Sequence, residues 1–224
     1  AAAQARAAKT GQSVEQARAT LRASVKNSVA DQTQTENFQR WFKDSKVVDA
    51  DGNPLVVYHG TNAKFDVFDL SKFGLTDNGW YGKGFYFADD SAVAKRYGKR
   101  LIGVYLSLRN PMSADRTGFG EADLQKIIDS VKEVDPRFQP EDWLAADATF
   151  ENSALSQLER LYTAGAKPEL VLSALTQVTG FDGVAMGADG SRVYVAFNPT
   201  QIKSAIGNSG AFDPANPDIR RSAD

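Results

Sequence analysis

The strongest constraint on this chain is a change in the spacing of its apolar residues. Between Gly118 and Gly180 they recur at helical intervals; on either side they fall in short runs bounded by turn residues. Leu124, Ile127, Ile128 and Val131 predict one helical face. Leu155, Leu158 and Tyr162 predict a second, and Val171, Leu175 and Val178 a third. The flanking runs VVYHG, GFYF, LIGVYLSL, FDGVAM and VYVAF have strand length and strand composition. Short strands interrupted by a helical block predict an α+β domain. At 224 residues and 42% hydrophobic content the chain can build one sizeable core.

Local signals set the expected boundaries. Residues 1–35 are rich in Ala, Gln, Ser and Thr, and Leu21, Val25 and Val29 predict a sparsely apolar helix. This segment reads as a helical extension or linker, weakly basic, and the start on Ala without Met fits a piece of a longer polypeptide. Residues 36–224 read as the main domain, with the helical block at about 118–178 as an insertion. Phe38, Trp41 and Phe42 predict a short helix with an apolar face. KVVDADGNPLVVYHG predicts a hairpin turning at Asp51-Gly52-Asn53, which leaves His59 at the end of its second strand. SAVAKRYGK predicts a helix capped by Asp89 or Asp90 and stopped at Gly98. The tail after VYVAF, rich in Asn, Pro and Gly, reads as an ordered loop.

Composition removes several chemistries. With no cysteine there is no disulfide, thiolate nucleophile or Cys-based zinc site. With a single histidine, any metal site would have to be oxygen-rich, and no EF-hand or comparable carboxylate loop is present, so no metal is expected. A net charge of −2 implies no strong pull toward nucleic acid or a membrane surface. No apolar run approaches membrane-spanning length. A cytoplasmic protein, monomeric or part of a larger polypeptide, is the expectation.

His59 is the only histidine, and is therefore either a satisfied structural residue or the working one. Tyr86 alternates with Phe85 and Phe87, so one set must face the core. Asp89 and Asp90 read as helix caps rather than a catalytic carboxylate pair.

YHGT at a strand end, followed by GKGFYFADDSAVAKRY, resembles the ADP-ribosyltransferases of the His-Tyr-Glu type. That group includes the poly-ADP-ribose polymerases and diphtheria-like toxins. The stretch VYVAFNPTQIKSAIGN is similar to the transferase modules of bacterial and phage polyvalent proteins. The resemblance spans roughly residues 38–98 and 180–220. It implies two small antiparallel sheets forming an NAD cleft, and NAD+ as co-substrate. It implies that His59 anchors the adenosine ribose, with Thr61 nearby, and that the backbone of Gly60 meets the nicotinamide carboxamide. Tyr86 and Tyr97 would sandwich the nicotinamide ring.

Val193 stands where many members of that group carry the catalytic Glu. Losing such a stabiliser in a dry site costs on the order of 3 kcal/mol of barrier, about a hundredfold in rate. The resemblance therefore implies transfer of single ADP-ribose units rather than polymer formation. The acceptor would be a macromolecule, protein by default and nucleic acid as the alternative. A degenerate NAD- or ADP-ribose-binding module and an NAD glycohydrolase are the other readings. A bacterial or phage toxin or effector is the expected setting. Gln201 or Arg192 could supply the missing polar group, or Gln201 and Lys203 could instead pin the tail.

Overall fold

The computed structural model describes residues 13, 16, 32–72, 81–113, 116, 118–140, 153–187 and 191–220. The N-terminal helix expected around Leu21, Val25 and Val29 lies outside them. The strands are β1 (Val57–Thr61), β2 (Phe85–Ala88), β3 (Arg100–Leu106), β4 (Pro111–Ser113), β5 (Gly183–Met186), β6 (Val193–Ala196) and β7 (Ile202–Ser204). The helices are α1 (Glu36–Phe42), α2 (Ser91–Ala94), α3 (Glu121–Val134), α4 (Ala154–Thr163) and α5 (Pro168–Thr179). The fold is thus mixed α+β, and among the described residues no helix is long and apolar enough to cross a membrane.

Where two sheets were expected, the strands join into one of seven, in the order β4-β5-β6-β2-β1-β3-β7. Only β4 and β5 run parallel; every other neighbouring pair is antiparallel. The sheet is nonetheless nearly divided in two. β1 pairs with β3 along five residues, and β2 with β6 along four. Between β1 and β2 the ladder is one pair long, Tyr58 opposite Ala88. Beyond that pair the two half-sheets run past each other without further pairing, which leaves a seam.

Residues directly opposite on paired strands share a face. Tyr58, Gly60, Tyr86, Ala88, Val193 and Val195 therefore lie on one face, and Val57, His59, Phe87 and Tyr194 on the other. The helical block covers the first face at the β4–β6 end, where Ile127, Ile128, Leu161, Val171 and Leu175 bury against Met112, Val184 and Val195. Each such side chain contributes roughly 1.5–3 kcal/mol by leaving water. α1 covers the β3–β7 end of the same face. Thr35 caps it by accepting from Phe38 N, and Phe38, Trp41 and Phe42 pack with Tyr105 and Phe212. Trp41 fixes its own position by donating Nε1–H to Thr200 O at 3.0 Å.

Two local expectations need correction. The Asp49–Asn53 turn forms, but Val48 and Pro54 make only an isolated bridge, and among the described residues no paired strand precedes β1. Pro54 has no N–H for a continuing ladder, and Val47 is drawn into the core instead. The tail, described as far as Arg220, was expected as a loop but contains a strand, β7, on the edge of β3. Lys203 is fully buried there and donates its ammonium to the carbonyls of Asn216 at 2.5 Å and Asp218 at 3.2 Å.

Candidate functional site

His59 sits where the seam opens. Its Nδ1 lies 2.9 Å from the carbonyl oxygen of Tyr86, across the gap between β1 and β2. A carbonyl only accepts, so Nδ1 carries the proton and the neutral ring presents Nε2 as an acceptor. Phe68 and Phe87 flank the imidazole at 5.1 and 5.7 Å, with Phe65 at 6.1 Å. Burial in this aromatic setting pulls the His59 pKa below 6.5, while the bond to Tyr86 opposes the shift. The ring is thus built as a neutral acceptor rather than a proton shuttle.

Tyr86 points its phenol to the other face of the sheet. Its hydroxyl accepts from Tyr81 N–H at 3.0 Å and donates to Gly82 O at 2.5 Å. These two bonds tie the loop before β2 to the ring and hold the phenol against the helical block.

Gly60 has a structural reason to be glycine. A Cβ built there would fall on the carbonyl of Ala94, at the end of α2, and 3.4 Å from the Cβ of Tyr97. The absence of a side chain lets α2 lie directly on β1. Gly98 repeats the device, since a Cβ there would overlap the backbone of Thr61. Asp90 caps α2 by accepting from Ala92 N at 2.7 Å, and a 3-10 turn of Lys95–Tyr97 completes the segment. This packing delivers Tyr97 to the Gly60 face, where the residue is 63% exposed. Thr61 is half-buried, and its hydroxyl accepts from Ala63 N at 3.1 Å.

Val193 lies beside Ala88 on β2 and Met186 on β5, on the face shared by Tyr86 and Gly60. Of the two polar groups considered as substitutes, Gln201 is committed elsewhere. The Gln201 side chain accepts from Phe197 N and Asn198 N, and donates to Asp182 O at 2.7 Å, which closes the 3-10 turn after β6. Arg192 is exposed and engages Asp89 through its backbone N–H at 2.9 Å. Asp89 therefore fixes the entry to β6, and Asp90 the entry to α2.

The six residues singled out from sequence thus assemble around one seam, though not as one ring of side chains. Gly60, Tyr86, Tyr97 and Val193 share one face. His59 approaches from the other and meets them through the backbone of Tyr86. Sequence reasoning missed Phe65 and Phe68, which pack the imidazole, and Tyr81, which holds the Tyr86 hydroxyl. The aromatic pair in FDVF and the tyrosine ahead of GKG were the available signals. Among the described residues no group of His, Asp or Glu side chains could hold a metal ion.

No curated protein matches the chain. A solved structure described as the crystal structure of an anti-CRISPR protein is similar at 16% identity and a TM-score of 0.31, over 63% of this chain and 88% of its own. That likeness is too loose to define a shared fold. A family described as ADP-ribosyltransferase in polyvalent proteins matches residues 49–212, which include β1 to β7 and every residue of the seam, and the chain belongs to that family.

Proposed function

We propose that this chain binds NAD+ across the β1–β2 seam and transfers a single ADP-ribose unit to a macromolecular acceptor. The observation that supports this reading best is the one-pair ladder at Tyr58 and Ala88 with His59 bonded to Tyr86 across the opening. On this reading a bent dinucleotide lies along the seam, gripped from both half-sheets. The nicotinamide end belongs with Gly60, Tyr86 and Tyr97, where a phenol face is presented and backbone lies close. The adenosine ribose belongs with His59, whose Nε2 accepts a hydrogen bond from a sugar hydroxyl.

In the reaction the bond between the nicotinamide nitrogen and ribose C1′ breaks. Nicotinamide leaves as a neutral molecule with the bonding electron pair, and positive charge develops at C1′. A nucleophilic oxygen or nitrogen of the acceptor bonds to C1′: an ionised carboxylate does so with no proton to lose, whereas a hydroxyl or amine releases one to solvent. The site contributes grip and exclusion of water, which together favour the reacting conformation. Val193 contributes no charge to the developing cation. A carboxylate on the acceptor itself can do so, which favours acidic protein side chains as acceptors and one unit per site.

Incubation of the chain with labelled NAD+ and bacterial lysate, followed by separate protease and nuclease digestion, tests this reading. Nicotinamide release with protease-sensitive label is the expected result. Nuclease-sensitive label would move the acceptor to nucleic acid. Nicotinamide release without labelled product would establish a glycohydrolase, and NAD+ binding without release a non-catalytic module.

A further inference from the structure

Tyr162 is an anomaly next to the site. Its hydroxyl oxygen is buried and makes no hydrogen bond. An orphaned hydroxyl costs stability, and a phenylalanine would fill the same space without that cost. The residue lies on α4, on the side that backs the Tyr86 loop. Leu155, two turns earlier on that helix, would lie 3.5 Å from a Cβ on Gly82, the residue whose carbonyl accepts from Tyr86. Tyr81, Tyr86, Leu155 and Tyr162 all pack against the same apolar cluster. Burial, with Glu159 and Tyr86 close by, pushes the Tyr162 phenol well above the usual tyrosine range, so it remains a protonated donor.

We propose that Tyr162 is a positioning residue for NAD+ binding: its hydroxyl donates to the Tyr86 hydroxyl oxygen in the liganded site and holds that phenol against the nicotinamide end. The inference rests on the functional reading above. It gives the helical block a part in the reaction, since α4 then stiffens one wall of the ligand site. It also accounts for a buried donor that the unliganded fold leaves without a partner.

The test is Tyr162→Phe in the full chain, alone and combined with Tyr86→Phe, with NAD+ affinity, the KM and kcat of nicotinamide release, and thermal unfolding measured on each. The expected result for Tyr162→Phe is a KM for NAD+ raised about 3- to 10-fold, the range lost with one hydrogen bond. Its kcat should change less than its KM, and its unfolding temperature should not fall. In the Tyr86→Phe background the second substitution should add nothing, because its partner oxygen is gone. Unchanged KM and affinity in Tyr162→Phe, or an undiminished effect in the double variant, would overturn this assignment while leaving the functional reading in place. A parent chain that neither binds nor cleaves NAD+ would overturn both.

Discussion

The imidazole of His59 and the carbonyl of Tyr86 lie 2.9 Å apart across two strands that share a single ladder pair. That contact stands in for the backbone pairing which the two half-sheets lack at this point. It also sets the tautomer of the ring. A side chain bridging a seam between β1 and β2 has both a structural role and an acceptor left to offer, and the first expected outcomes concern it.

His59 should titrate below the usual 6.5, because burial disfavours its charged form. The unfolded chain then binds more protons than the folded one between the lowered value and 6.5. Stability on this account is fully present above 6.5 and is lost as pH falls through that window. As the sole histidine, its ring gives one set of imidazole NMR resonances, so the titration reads this site alone. A midpoint at or above 6.5 would contradict the buried, neutral assignment.

His59→Phe keeps an aromatic ring among Phe65, Phe68 and Phe87 but removes both nitrogens. The Tyr86 carbonyl loses its partner, which costs about 1–3 kcal/mol of stability. NAD+ affinity should drop tenfold or more in a chain that still folds, as measured by calorimetry beside circular dichroism. Retained affinity would show that the ring nitrogens do not reach the ligand.

Gly60→Ala places a methyl group on the Ala94 carbonyl. Relief requires α2 to shift, carrying Tyr97 with it. Overpacking of this kind costs about 1–3 kcal/mol, and NAD+ binding should weaken along with stability. An alanine variant with parental melting temperature would mean that the α2 contact is looser than described.

Val193→Glu restores a carboxylate beside Ala88 on the Tyr86 face. Nicotinamide release should rise, by up to about a hundredfold if the new group meets the developing charge. A variant that folds with the parental rate would show that position 193 does not look onto C1′.

The strand and helix segments of the domain were readable because each carried its own periodicity. FYFA, VYVA and the faces of α3 and α5 needed no knowledge of their partners. What could not be read was the relation between strands. Nothing in VVYHG shows that β1 would pair five times with β3 and once with β2, because pairing is decided by packing of distant segments. The same limit explains why the sequence could not show that His59 lies on the sheet face opposite Tyr86. Gly60 was read for its possible contact with a ligand, whereas the close approach of Ala94 is visible only once α2 is folded onto β1. Gln201 was weighed as a substitute for the missing carboxylate, and its amide is instead consumed by four backbone groups around the end of β6.

The most direct measurement of whether a dinucleotide occupies the seam is an NMR titration of the His59 imidazole with NAD+, repeated on Tyr97→Ala. Tyr97 is exposed, so its removal should leave the fold intact while stripping one aromatic wall. A saturable shift of the imidazole resonances that weakens markedly in Tyr97→Ala is the predicted result. Resonances that stay fixed at saturating NAD+, or shift identically in both proteins, would contradict it.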